Sequence, residues 1–235
     1  MKLPGGTATI AGLLSFNGGF VDSAGFLGLQ GLFLSHVTGN FVTLGAALVL
    51  GHHAVVGKLL ALPEFILVVA VARFVGWRLR ARRAPVLRIM LGLEVILLLA
   101  FFLMAVGFGP FPNADAPIAL LTGFLGVAAM ALQNAVQRVH LAGLPPTTIM
   151  TGNTTQLALD GVDLLLNVDQ RSQLRERFVR LVSGILTFAL GCAACALLYW
   201  LAGFWSLLVP VIVGTIATLV EDGAAAPQVA PIKSR

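Results

Sequence analysis

The stretch LSHVTGNFVTLG, residues 34–45, places a threonine, a glycine and an asparagine inside a long apolar region. The stretch TIMTGNTTQLALDG, residues 148–161, does the same, so that Thr151-Gly152-Asn153 (the second motif) repeats Thr38-Gly39-Asn40 (the first motif) 113 positions later. Glycine permits backbone angles that a helix refuses, and threonine and asparagine cap the N–H groups that a helix start leaves free. Each motif therefore predicts a helix break whose free N–H groups face a ligand. The alternative is a packing and hydrogen-bonding device between helices.

The composition of the chain indicates whether water or lipid surrounds it. Of its 235 residues 58% are hydrophobic and 11% are charged, with a mean hydropathy of +0.94. A soluble domain has about 45–50% apolar and about 25% charged residues. The sequence therefore predicts a polytopic membrane protein with the lipid bilayer as its partner. The net charge of +5 comes from arginine clusters beside apolar segments, which is typical of cytoplasmic loops and not of a nucleic-acid partner.

Apolar segments long enough to cross a bilayer recur along the chain. A crossing helix needs about 20 residues, and the candidates are 8–29, 31–51, 59–79, 87–109, 117–138, 147–166, 179–201 and 204–220. We expect one all-α transmembrane domain over residues 1–220, followed by a disordered cytoplasmic tail at 221–235.

The arginine clusters constrain the path of the chain. If the Arg-rich loop 78–88 is cytoplasmic and 147–166 crosses fully, the loop with Arg171, Arg175 and Arg177 lies outside, against the positive-inside rule. A re-entrant 147–166 removes the conflict, and its many polar residues favour that path. A full crossing with a translocated basic loop is the alternative.

The two motifs suggest an internal repeat, with one copy at about 8–109 and the other at about 117–220. With re-entrant motif segments each copy has three crossings, which makes about six transmembrane helices and an inverted repeat typical of transporters and channels. With full crossings each copy has four, and the repeat is parallel.

Polar residues inside apolar segments are candidates for function, because lipid tolerates them only when they are paired or solvated. Asp22, in the first segment, is either a coupling carboxylate or a structural acid, and His36 is either a titratable group or a structural donor. Asp160 lies on the helical face of Asn153, seven residues away, and either lines the same path or lies at the cytoplasmic mouth with Arg171 or Arg175. The complete candidate substrate-binding set is Asp22, His36, Thr38, Gly39, Asn40, Gln133, Asn134, Gln137, Thr151, Gly152, Asn153 and Asp160. Glu94, six residues after Arg88, is expected to pair or to snorkel near the cytoplasmic face.

Catalytic signatures are missing from the sequence. It contains no G-x-S-x-G, P-loop or H-E-x-x-H pattern. We therefore expect no enzyme, no cofactor and no metal site.

Three stretches together carry a family resemblance. GFVDSAGFLGL, SHVTGNFVTLG and ALQNAV followed by TTIMTGNTTQLA resemble the YoaK family of bacterial membrane proteins, over about residues 8–220. The resemblance implies a multi-pass bacterial inner-membrane protein of about six helices. It implies no substrate and no reaction.

The function expected from these features is transport of a small polar solute or ion, at a central site formed by the two motifs and Asp22. A non-catalytic membrane scaffold is the alternative. An intramembrane enzyme acting on a lipid or quinone is a third hypothesis, which requires Asp22, His36 and Asp160 to converge. Glycine- and alanine-rich helix faces would permit a homodimer.

Overall fold

The computed structural model describes residues 5–50, 54–166 and 171–221, and within these ranges it contains helices and no strand. Short 3-10 helices lie at Val37–Gly39 and Gly203–Leu207. The α-helices are α1 (Gly5–Gly28), α2 (Asn40–Leu50), α3 (Val55–Ala81), α4 (Val86–Phe108), α5 (Pro117–His140), α6 (Met150–Leu165), α7 (Arg171–Ala202) and α8 (Leu208–Glu221). The predicted all-α class is confirmed. The tail expected to be disordered lies, from residue 222 onward, outside the described residues.

Five segments are long and apolar enough to cross a membrane: Gly6–Gly28, Val55–Ala81, Val86–Phe108, Pro117–His140 and Arg171–Val220. The last one has 50 residues, which as a straight helix would measure about 75 Å, against about 30 Å for the hydrocarbon core. It folds back at Gly203, whose φ of +56° suits a glycine. After this turn α8 packs on α1 and α4. The fifth segment therefore supplies two helices, α7 and α8, and the five segments together make the six helices that were expected.

Hydrogen bonds define one end of the helix bundle. Gln30, just after α1, donates from Nε2 to the carbonyl oxygens of Phe111 and Pro112, at 3.2 and 2.6 Å. The Asp115 carboxylate accepts from the backbone N–H groups at the start of α3, 54–56, at 2.9–3.1 Å. The end of α1, the start of α3 and the α4–α5 connection therefore lie together, at what we call the Asp115 end.

The opposite end of the bundle carries the arginines. It contains the α3–α4 turn, the end of α5 and the start of α7, and its arginines include Arg80, Arg88, Arg138 and Arg177. The end of α5 lies beside α3 and α4, because Arg80, Val86 and His140 line one small cavity. By the positive-inside rule this arginine end is predicted to be cytoplasmic.

Each motif segment leaves and rejoins the same end of the bundle. The first leaves the Asp115 end after Gly28 and returns there at Ala54. The second leaves the arginine end after His140 and returns there, where Asp160 of α6 binds Arg177 of α7. This path agrees with the re-entrant alternative for both segments. The repeat itself and the single-domain boundaries stay predictions.

The central helix α1 makes its closest contact with α7 through two glycines. A Cβ added at Gly19 would collide with the carbonyl oxygen of Phe188, and one added at Gly191 with that of Phe16. Small residues of this kind let membrane helices approach until their backbones touch.

Replacement of Gly19 by alanine is expected to force α1 and α7 apart and to lower the free energy of unfolding by about 1–3 kcal/mol, the usual cost of overpacking. Gly12→Ala, on the same helix, is the matched control, because a Cβ there meets no atom within 4 Å. Thermal unfolding in detergent measures both variants. Equal melting temperatures for the two variants would contradict the contact.

Candidate functional site

Asp22 anchors the first motif segment to α1. It lies six residues before the end of α1, about 9 Å along the helix axis, and is only 5% exposed. Its Oδ1 accepts from the backbone N–H groups of Leu34 and Ser35, at 2.9 and 2.7 Å, and more distantly from that of His36, at 3.3 Å. Its Oδ2 lies 2.6 Å from His36 Nδ1. One buried carboxylate therefore accepts hydrogen bonds from the backbone N–H groups of three consecutive residues that are not in a helix.

His36 extends the Asp22 anchor towards the protein surface. An ionised carboxylate can only accept, so Nδ1 donates to Asp22. The ring makes T-shaped contacts with Phe33 and Phe188, at centroid distances of 6.3 and 5.7 Å. The bond to Asp22 raises the pKa of His36, in the connection between helices, above its ordinary 6.5, against the opposing effect of burial. The side chain is 35% exposed and can therefore exchange protons.

Asn40 closes the first motif segment on itself. Its Oδ1 accepts from the N–H group of Phe33 and its Nδ2 donates to the carbonyl oxygen of Phe33, both at 2.8 Å. The side chain is completely buried, so its amide holds the chain together. Thr38 and Gly39 precede it in the 3-10 helix, and α2 begins at Asn40. The predicted break therefore falls at the first motif itself.

The second motif segment is held in a related way. Asn153 donates from Nδ2 to the carbonyl oxygen of Pro146, at 2.7 Å and again seven residues earlier in the chain. Proline has no N–H group, so the second bond of the Asn40 arrangement cannot form. Helix α6 begins at Met150, so the motif lies in its first turn and the break falls upstream. Thr151 and Gly152 are exposed.

The polar stripe of α5 supports this second segment. Gln133 donates from Nε2 to Leu14 of α1, at 2.9 Å, and to Thr147 Oγ1, at 3.3 Å. Asn134 accepts from Thr148 Oγ1 at 2.7 Å. Gln137 donates to three carbonyl oxygens of residues 141–145, at 3.0–3.2 Å. The stripe thus bonds the connection that leads into α6.

Asp160 pairs with α7. Its carboxylate accepts from Arg177 Nε and Nη2 at 2.7 and 2.5 Å, and from Gln156 Nε2 at 2.6 Å. Asn153 and Asp160 are both buried, on the common face that their spacing predicts. Asp160 therefore lies at the arginine end, while Asp22 and His36 hold the other segment. No hydrogen bond among residues 5–50, 54–166 and 171–221 joins the two motifs.

An open groove of about 1050 Å³ lies beside the first motif segment. Its walls come from α1, from α7 and from the first motif segment, and they are mainly apolar; the polar and aromatic contributors include Asp22, Phe33, His36, Thr38, Phe188 and Cys192. Four of the predicted site residues, Asp22, His36, Thr38 and Gly39, meet in this groove. The others lie outside it.

Two polar residues lie where prediction from the sequence did not place them. Glu94 is 1% exposed, and within the described part of the chain neither carboxyl oxygen has a hydrogen-bond partner, so the expectation that it pairs or snorkels was wrong. Asn17 is fully buried between α1 and the start of α8, where it donates to the carbonyl oxygen of Pro210 at 3.1 Å. Its position in an apolar segment was the available signal, as it was for Asp22.

The helices and their buried polar anchors define a polytopic α-helical membrane protein. The chain belongs to the family described as Protein of unknown function (DUF1275), whose model matches residues 10–220. It is similar to the UPF0700 transmembrane protein YoaK of Bacillus subtilis strain 168, with 27% identity over 192 residues that cover 80% of this chain and 82% of the relative. No solved structure matches it. The family resemblance predicted from the sequence motifs is confirmed.

The two asparagines give a direct test of the segment anchors. Asn40→Ala removes two buried hydrogen bonds and is expected to lower the free energy of unfolding by about 2–4 kcal/mol, whereas Asn153→Ala removes one to a carbonyl oxygen and is expected to cost about half as much. Unfolding in mixed micelles measures both. An Asn153→Ala variant that is less stable than Asn40→Ala would contradict this arrangement.

Proposed function

We propose that the protein is a transporter or channel for a small solute or ion in the bacterial inner membrane, in which His36 and Asp22 form the titratable element of the binding site. The observation that carries the proposal is the groove beside the first motif segment, which the His36–Asp22 pair lines. An ionisable pair within an apolar wall is expensive to maintain, and in membrane proteins such pairs mark solute and proton pathways. We propose no catalytic role, no cofactor and no nucleic-acid partner.

The packing of the helices supports an inverted repeat. If the first repeat is α1–α4 and the second is α5–α8, each helix has a counterpart four helices later. The contact between α1 and α7 then corresponds to the one between α5 and α3, α1–α8 corresponds to α5–α4, and α2–α3 corresponds to α6–α7. The helices of all these pairs pack together. The segment anchors correspond as well. His36 bonds Asp22 fourteen residues back, and Thr148 bonds Asn134 fourteen residues back. Repeats of this kind move against each other in alternating-access transporters.

The two repeats differ in the charge of their anchors. Asp22 and His36 are ionisable, whereas Asn134 and Thr148 are neutral. Protonation therefore acts directly on the first motif segment and not on the second. In the proposed mechanism, loss of the His36 proton weakens the bond to Asp22 and frees the segment at the Asp115 end to move.

The scaffold alternative is favoured by one specific observation. The side chains expected to bind a solute are hydrogen-bonded to the protein's own backbone instead, as in Asp22, Asn40 and Asn153. The enzyme hypothesis has less support, because Asp160 is engaged by Arg177 at the arginine end. A homodimer through the small-residue helix faces stays a prediction.

Proton flux tests the proposed role of the pair. With a pH-sensitive dye inside proteoliposomes, the wild type is expected to conduct or exchange protons. The rate is expected to fall as pH rises through the raised pKa of His36, because a ring that is already unprotonated has no proton to release when the segment moves. His36→Gln and Asp22→Asn are expected to lower this flux at least tenfold and to remove its pH dependence. Gel filtration and melting temperatures report whether each variant is folded.

Equal flux in the wild type and both folded variants would contradict the residue assignment. A wild type without flux for protons, sodium, potassium or chloride, combined with variants of reduced melting temperature, is the result that the scaffold alternative predicts.

Cysteine labelling distinguishes the inverted repeat from the parallel one. Cys192 and Cys195 are the only cysteines in the sequence, so single reporters can be placed in a cysteine-free background. The inverted arrangement predicts that reporters at 82–85 and 167–170 react from the cytoplasmic side, and that reporters at 51–53 and 112–114 react from outside. Labelling of 167–170 from outside would establish the parallel arrangement.

A further inference from the structure

Glu94 is a buried carboxyl group without a hydrogen-bond partner. It lies eight residues after the start of α4, about 12 Å along the helix axis from the arginine end, and is 1% exposed. Neither Oε1 nor Oε2 has a hydrogen-bond donor among the described residues. Since a charged carboxylate in such a position has a very unfavourable free energy, the group needs a bound ligand that removes its charge.

The neighbours of Glu94 can be placed from the packing of α4. Met90 and Val136 belong to one apolar cluster, and α4 and α5 run in opposite directions, so Glu94, one turn after Met90, lies level with Gln133. On the other side, Gly214 of α8 faces Val95, next to Glu94, and the amide of Asn17. Glu94, Gln133 and Asn17 therefore occupy one level in the core formed by α1, α4, α5 and α8.

All three side chains at this level have unused acceptors. Asn17 donates from Nδ2 to Pro210 and Gln133 from Nε2 to Leu14, but Asn17 Oδ1 and Gln133 Oε1 are buried without a donor. Four oxygen atoms, two of Glu94 and one from each amide, thus lack a hydrogen-bond donor within residues 5–50, 54–166 and 171–221. A Ca²⁺ ion requires six or more oxygen ligands. A single proton on Glu94 supplies a donor and removes the charge.

The arginine end offers a route to this level. A cavity of about 20 Å³, enough for one water molecule, is lined by Met90, Arg73, Arg80 and His140. Met90 is one helical turn from Glu94. Gln137, with its own unpartnered Oε1, continues the polar stripe from His140 to Gln133 along α5.

Other ionisable groups on the helices around Glu94 have their own environments. Asp22 of α1 is bonded to the first motif segment. On α5 the ionisable groups are Arg138 and His140, at the arginine end, and on α3 the closest to that cavity are Arg73 and Arg80. On α8 the only one is Glu221, its last residue. Among the described residues, none of these groups is a hydrogen-bond partner of Glu94.

We propose that Glu94 is a proton-binding site, which takes one proton from the arginine end and donates the resulting O–H bond to the amide oxygen of Gln133 or Asn17. The carboxylate takes the proton from water in the cavity, so that one O–H bond of water breaks and one O–H bond of Glu94 forms. The remaining hydroxide is neutralised by exchange with bulk water, and no other bond changes. Its use as the coupling site of transport rests on the proposed function, whereas proton binding does not. With Glu94 as well as His36, titratable groups lie in both halves of the protein's thickness.

Infrared difference spectroscopy tests proton binding without any transport assay. A Glu64→Gln background removes the other carboxyl group that has a buried oxygen without a partner. In this background the purified protein in detergent at neutral pH is expected to show the carbonyl-stretch band of a protonated carboxyl group, and adding Glu94→Gln is expected to remove it. Glu176→Gln, at an exposed position of α7, is the matched control and should keep the band. Glu94→Asp should shift it.

Glu94→Gln is also expected to match the wild-type melting temperature within a few degrees, since the glutamine amide donates to the same acceptors. Absence of the band from the Glu64→Gln background, or its persistence when Glu94→Gln is added, overturns the proposal. If Glu94→Gln fails to fold, an unshifted band in Glu94→Asp overturns it equally.

Proteoliposomes separate this proposal from the proposed function. A wild type that shows the band and conducts protons, with flux reduced at least tenfold in Glu94→Gln, supports both. A wild type that shows the band but has no flux leaves proton binding established and contradicts the transport role. Flux that is unchanged in Glu94→Gln while the band is lost restricts Glu94 to binding without coupling.

Discussion

The fold depends on how a lipid-embedded chain satisfies backbone groups that are not in a helix. Hydrocarbon offers no hydrogen bonds, so every N–H and C=O group at membrane depth needs a partner within the protein. Between α1 and α2 the Asp22 carboxylate supplies this for Leu34, Ser35 and His36. Without that acceptor the first motif segment would have to become helical or leave the bilayer, and the groove beside α7 would lose one wall.

The same constraint is met differently in the second half. There the connection into α6 is bonded by neutral amides and hydroxyl groups of α5, such as Gln137 and Asn134. Neutral donors and acceptors cost less to bury than a carboxylate, but they hold a segment equally firmly at every physiological pH. The charged anchor therefore adds a response to protonation, and its cost is offset by three backbone bonds and an ion pair.

The sequence was sufficient for the class of fold and for the existence of two special segments. Composition fixes the membrane class because it averages over the whole chain, and each motif is local enough to predict a helix break. Asn153 and Asp160 were placed on one face correctly, because seven residues make nearly two helical turns. The partners of Asp22 were beyond prediction, since they are backbone groups twelve to fourteen residues away, and only the direction of the connecting segment brings them close.

Glu94 shows why neighbouring charges in a sequence are a weak guide. Six residues separate it from Arg88, which places the two side chains about 120° apart around the helix, whereas helical ion pairs need a spacing of three or four. Arg177, in contrast, reaches Asp160 from another helix, seventeen residues along the chain. The polar residues that matter most here are therefore the ones whose partners come from tertiary packing.

The pairing of His36 with Asp22 also has an electrical consequence. A protonated imidazole beside a carboxylate 2.6 Å away carries no net charge, so the pair as a unit can shift within the bilayer without moving charge through the membrane field. One uncompensated charge would instead gain or lose about 2.3 kcal/mol for each 100 mV that it traverses. Deprotonation of the ring leaves Asp22 as a single negative charge, and only then does the membrane voltage act on the first motif segment.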